Sequence, residues 1–149
     1  MGNLKIGGAG IAIRDERANI IPATNRVLTF IGSPATSIAP GGRAVSDPIE
    51  FDAPPLSDLA ISVFLPGRMD DDFPITGHGN SRQTSYISDA GDFTAAAELP
   101  VAEETQAYLF LAGIDVVAPA STGGIVAIGD SLTDCNISTI DANYRWTNQ

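Results

Sequence analysis

The segment from Ile125 to Asp134, IVAIGDSLTD, sets Ser131 between two acids, directly after four apolar residues and a glycine. Either Ser131 is a nucleophile or it is a polar turn that follows a buried strand. A serine hydroxyl is a weak nucleophile until a base takes its proton. The chain has one histidine, His78, in ITGHGNS. Two readings of His78 stand. It is an improvised base that folds to within about 3 Å of Ser131, or it is a loop histidine between two glycines, solvated or bonded to backbone.

The remaining chemistry-bearing residues point less sharply. Asp70, Asp71 and Asp72 are adjacent in GRMDDDFP and read as a solvated loop. As a cation site they lack EF-hand spacing, so no metal is expected. Cys135 has no basic neighbour in the sequence to activate its thiol and reads as inert. GGAGIAIR is glycine-rich but opens a strand, and it lacks the Gly-Lys-Ser/Thr of a phosphate-binding loop. GIVAIGDS is not Gly-x-Ser-x-Gly, which excludes the nucleophile elbow of α/β-hydrolases. Trp146, two residues after Tyr144, reads as helix packing. No cofactor is expected.

Composition bounds the partners. The chain has 149 residues and a net charge of −10. Such a chain repels phosphate backbones, so no nucleic-acid partner is expected. One cysteine excludes an intrachain disulfide. The start, MGNLKIGGAG, lacks a signal-peptide pattern. No apolar run approaches the roughly 20 residues that span a bilayer, so a soluble chain without a membrane span is expected.

The elements that would position Ser131 are mostly strands. Scattered glycines and prolines punctuate short runs rich in β-branched residues. The predicted strands cover 11–14, 27–30, 45–51, 59–65, 83–88, 108–111 and 114–117. Their spacing predicts a mainly β fold, a β-sandwich or jelly-roll-like pair of layers. Pro48 predicts an edge or bulge in its strand. Pro100 interrupts the helix formers of 92–106, leaving a short helix or turn at 94–98. PASTGG, 119–124, reads as a linker. After it, GIVAI is apolar on both faces, as a strand inside a parallel sheet would be. STIDANYRWTNQ then predicts a helix start capped by Ser138 or Thr139.

Gly129-Asp130-Ser131-Leu132 with Thr133-Asp134, straight after an apolar strand, resembles the first sequence block of the GDSL, or SGNH, family of serine esterases and lipases. STIDANYRWTNQ resembles the STPDANRRWPDxL continuation of one bacterial branch, in which a β-rich domain precedes the hydrolase domain. The segments 45–67, 76–94 and 110–119 resemble that leading domain. The resemblance implies a leading β-sandwich-like domain at 1–118, a linker at 119–124, and at 125–149 the first β-strand and helix start of an SGNH-type α/β hydrolase domain. It implies that the chain is truncated at both ends.

The resemblance further implies that Ser131 is the nucleophile and that its N–H is one oxyanion donor, with Gly129 and Asp130 supporting the turn. The geometry such a turn would have agrees. A strand's C-terminal end projects the hydroxyl into the crevice where α/β folds bind ligands, and the following turn aims N–H groups at developing charge. The family takes its base from an Asp-x-x-His motif and further oxyanion donors from a Gly-x-Asn-Asp block; neither motif occurs in these residues. Cys135 stands where many relatives carry glycine.

Three functions follow as expectations. The first is a carboxylic ester hydrolase that forms an acyl-enzyme on Ser131 from a small-molecule ester, inactive or weak as this chain. The second is a non-catalytic β-sandwich binding module whose tail is vestigial. The third is a small esterase with His78 as base. The apolar strand from Ile125 to Ile128, without a sheet around it, is also expected to self-associate, add to the sandwich edge or remain poorly ordered.

Overall fold

The structure is a computed structural model, and it describes residues 2–67 and 76–148. Asp70, Asp71 and Asp72 lie outside the described residues. The protein is mainly β. The described residues form nine short strands and two 3-10 turns, with strand pairing in four small sheets. The chain divides into two compact units. The first comprises Met1–Pro74 and Tyr86–Glu104, the second Ile75–Ser85 and Thr105–Gln149.

The first unit is built around β2 (Gly8–Ile13), the middle strand of a three-stranded antiparallel sheet. β3 (Arg26–Val27) pairs with one edge and β5 (Leu59–Phe64) with the other. The β2–β5 register runs from Gly8 opposite Phe64 to Ile13 opposite Leu59. The first five residues of β2, GAGIA, are buried, because small residues let other backbone lie against the strand. A Cβ on Gly10 would stand 3.0 Å from the Thr94 carbonyl oxygen and 3.1 Å from Asn25 Oδ1. Ile6, Ala9, Ile11, Ala12 and Ile20 form the buried apolar core. β1 (Leu4–Ile6) pairs antiparallel with β4 (Thr36–Ile38).

Several predicted strands changed extent. Of the 27–30 strand only Val27 lies in a strand, β3, which begins one residue earlier, and 83–88 is reduced to β7 (Ser85–Ser88). β7 pairs with β8 (Val101–Thr105), which begins directly after Pro100. Pro100 has no N–H to give a ladder but its carbonyl accepts from Asp89 N at 3.0 Å, so the proline opens the strand. Residues 94–98 form a turn, one of the two outcomes their sequence allowed.

No strand forms at 45–51, because Asp47 is used differently. Phe30 and Ser33 bridge across Ile31 and Gly32, both with positive φ (55° and 77°), as a two-residue hairpin turn requires. A β-branched residue is unsuited to that conformation. The Asp47 carboxylate stabilises it, accepting from Ile31 N (3.0 Å), Gly32 N (2.8 Å) and the Thr29 hydroxyl (2.6 Å). Asp47 N also donates to the Thr29 carbonyl at 2.7 Å.

In the second unit β6 (Gly77–Gly79) pairs antiparallel with β9 (Ala107–Leu109), which replaces the predicted 108–111 strand. No strand forms at 114–117 or 125–128. A strand apolar on both faces needs a neighbour at each edge, and the described residues supply none. Ile125, Val126 and Ile128 are consequently exposed. The helix expected after Ser138 is a succession of turns ending in a 3-10 turn at Trp146–Asn148. Among the described residues, no helix is long and apolar enough to cross a membrane.

The Thr29 hydroxyl, then the Gly32 and Ile31 N–H groups, hold the Asp47 carboxyl below the usual carboxylate range, against an opposing effect of desolvation. A depressed folded pKa means that this contribution to stability is full above the unfolded pKa and is lost as pH falls through the folded one. Asp47→Asn is therefore expected to lower the Tm at neutral pH, with the gap to wild type closing as pH falls through the folded pKa. A gap unchanged across that range would show that the charged carboxylate does not hold the turn.

Candidate active site

Ser131 lies in a chain of overlapping turns. Asp130 Oδ1 accepts from Leu132 N at 3.0 Å, and the Asp130 carbonyl accepts from Asp134 N at 3.0 Å. The Ser131 carbonyl accepts from Asn136 N (3.0 Å), Leu132 from Cys135 N (3.2 Å) and Cys135 from Ser138 N (2.8 Å). Cys135 takes a left-handed conformation (φ 56°), which breaks the run before a helix can propagate. The Ser131 side chain is exposed, and its hydroxyl has no hydrogen-bond partner among the described residues. Asp130 is thus a side-chain cap on the turn that carries Ser131.

Gly129 is required by close approach. Thr133 folds back over it, so that a Cβ on residue 129 would overlap Thr133 Oγ1 and stand 2.6 Å from Thr133 Cβ. Trp146 pins Thr133 from the other side. Its indole N–H donates to the Thr133 carbonyl at 3.0 Å, a role different from the helix packing expected of it. Tyr144 is exposed. Cys135 is a half-buried free thiol whose Sγ lies 3.8 Å from the Thr133 carbonyl oxygen.

His78 lies in the same unit as Ser131, on β6, opposite Tyr108 of β9. The two rings are 6.4 Å apart and tilted by 53°. Its acidic neighbour among the described residues is Asp134, whose Oδ2 is 3.9 Å from His78 Nε2. Arg145 Nη1 is 4.0 Å from the other Asp134 oxygen, and Arg145 Nη2 donates to the Ser81 carbonyl. His78 is therefore brought to the acid three residues past Ser131, and no hydrogen bond joins it to Ser131. Both His78 and Asp134 are substantially exposed (55% and 39%), so their attraction is weak and screened.

An open pocket of about 220 Å³ adjoins the turn, walled by Gly129, Asp130, Thr133, Asp134 and Arg145. Ser131 is not in its wall. The pocket combines one cation with two carboxylates, and no group of three metal-ligating side chains occurs among the described residues.

No local sequence pattern marks what anchors these turns. The loop Ser81–Thr84 meets the chain from Ser138 to Arg145 through a set of polar contacts. Arg82 Nε donates to the Ser138 carbonyl at 2.8 Å, and its Nη2 donates to the same oxygen. Thr84 N and Oγ1 each donate to the Asp141 carboxylate at 2.6 Å. Asp141 N returns a bond to the Arg82 carbonyl at 3.0 Å, and Gln83 Nε2 donates to Asn143 Oδ1 at 2.6 Å. Only the polar, turn-forming character of both segments hinted at such contacts; the partners lie 56 to 64 residues apart.

No protein-family model matches the chain, and no curated protein matches its sequence significantly.

Gly129→Ala must displace Thr133. It is expected to destabilise the turn by about 1–3 kcal/mol, as overpacking does. Hydrogen-exchange protection at the Asp134 and Asn136 amides reads this directly. Unchanged protection would mean that Thr133 swings aside without cost.

Proposed function

We propose that this chain carries the nucleophile segment of a GDSL/SGNH-type carboxylic ester hydrolase, with Ser131 as nucleophile. The supporting observation is the exposed, unbonded Ser131 hydroxyl on a turn capped by Asp130 and closed over Gly129. Ser131 Oγ would form a bond to the acyl carbon as the ester C–O bond breaks, the leaving alkoxide taking a proton from solvent, and water would then cleave the acyl-enzyme to the carboxylic acid and free Ser131. The Ser131 N–H would stabilise the oxyanion. The hydroxyl proton would pass to solvent, because His78 is directed to Asp134.

This reading expects weak catalysis. Removing the base of a serine triad costs about a millionfold in kcat, while oxyanion donors and binding alone retain about 10³–10⁴ over water. Residues 1–118 are, on this reading, the leading domain of that family branch, and its finer jelly-roll layering is part of the proposal.

Hydrolysis of p-nitrophenyl acetate by the full chain tests it. Slow turnover is expected, lost in Ser131→Ala and retained in His78→Ala. Equal rates for wild type and Ser131→Ala would refute the nucleophile assignment and leave the binding-module reading. Fast turnover lost in both variants would establish His78 as the base instead.

A further inference from the structure

The turn that carries Ser131 has no apolar core beneath it. In the second unit no apolar side chain is buried among the described residues, and the one buried side chain is Ser81. Ser81 sits at the base of the loop that grips the tail. Its N–H donates to the Gln106 carbonyl at 3.0 Å and its hydroxyl to the Gln83 carbonyl at 2.7 Å. Gln106 Nε2 supports the loop again by donating to Thr84 Oγ1 at 3.0 Å. The loop is therefore backed on one side before it meets residues 138–145 on the other.

A continuous hydrogen-bonded path runs from this loop to Ser131. The Arg82 guanidinium holds the Ser138 carbonyl. The Ser138 N–H holds the Cys135 carbonyl, the Cys135 N–H holds that of Leu132, and the next N–H, of Asn136, holds that of Ser131 itself. Asp141 locks the far end to Thr84 and to the Arg82 carbonyl. Arg82 and Asp141 both sit at positive φ (57° and 58°). A non-glycine residue holds that conformation only where its surroundings over-determine it.

We propose that Arg82, with Asp141, is a positioning residue for Ser131: the Ser81–Thr84 loop is the template on which the nucleophile turn is set. Arg82 acts through the Ser138 carbonyl and touches no reacting atom. Its significance for catalysis rests on the reading of Ser131 given above; its effect on the turn does not. The planar guanidinium presents two donors to one carbonyl. A lysine would supply a single point contact and keep part of the effect.

The test uses the full chain, with Arg82→Ala, Arg82→Lys and Thr84→Val. Three signals are followed: exchange protection at the Asn136 and Ser138 amides, the Ser131 amide resonance, and the rate of Ser131 labelling by a fluorophosphonate. The Ala12 and Ala60 amides of the β2–β5 ladder report that the first unit remains folded. Arg82→Ala is expected to lower protection at Asn136 and Ser138 at least tenfold, move the Ser131 resonance and slow labelling in parallel, with partial recovery in Arg82→Lys. Thr84→Val, which removes one bond to Asp141 and the acceptor of Gln106 Nε2 but leaves both Arg82 bonds, should give a smaller change of the same kind. Unchanged protection, or lost protection with unchanged labelling, would overturn the proposal. A wild-type chain that does not label at all would instead count against the nucleophile reading. The Ser131 resonance would then decide the role of Arg82, a shift in Arg82→Ala supporting it and an unmoved resonance overturning it.

Discussion

The second unit depends on the contact between a four-residue loop and a carboxylate. Thr84 gives Asp141 both its N–H and its hydroxyl, and Asp141 returns its own N–H to Arg82. Where burial is slight, such exchanges are what fix the chain. A single hydrogen bond contributes a net of about 0.5–1.5 kcal/mol, and one to a charged group about 1.5–3 kcal/mol. Strained backbone opposes them. Asn80, Arg82, Asp141 and Asn143 all have positive φ. Asn and Asp enter that region readily, so Arg82 bears the main penalty, of order 1 kcal/mol. Its two bonds to Ser138 offset that, and the balance favours the grip.

The first unit follows a different rule. β2 can be buried because its small residues admit the Thr94 carbonyl and the Asp92 and Thr94 side chains, and β3 and β5 complete its hydrogen bonding. Burial there fixes register, since a shift by one residue would drive the Ile11 side chain onto the face where only Gly10 fits against the Thr94 carbonyl. The outlying Ile31–Gly32 turn lacks the Asn-Gly pair that such turns favour, and Asp47 supplies the missing stabilisation from 15 and 16 residues away. Both units thus use an aspartate to hold backbone that its own sequence would not hold, Asp47 in one and Asp141 in the other.

Local patterns carried the legible part. β2 and β5 could be read from alternation and β-branching, and Gly129, Asp130 and Ser131 from residue type and order. β1 and β4 are three residues each and pair with one another across 30 to 34 positions, so nothing local marks them. Pro48 suggested an edge strand, but the proline follows an aspartate already committed to a turn. Residues 125–128 have the composition of a buried strand; whether one forms depends on neighbours that composition cannot specify. Arg82, Asp141, Asn143 and Arg145 were invisible for a related reason. Each is an ordinary surface residue whose partner is remote in sequence, and only the folded chain makes the pair.

That remoteness has a kinetic side. Bringing Arg82 to Ser138 closes a loop of 56 residues. The chain entropy lost is about 3–4 kcal/mol. No single bond of the grip can offset that, so the bonds must form together or not at all. The loop at 81–84 also leaves the ribosome well before residues 131–145. During synthesis the half that is already backed by local structure therefore waits for the other, and the serine turn acquires its shape last, upon a surface made before it.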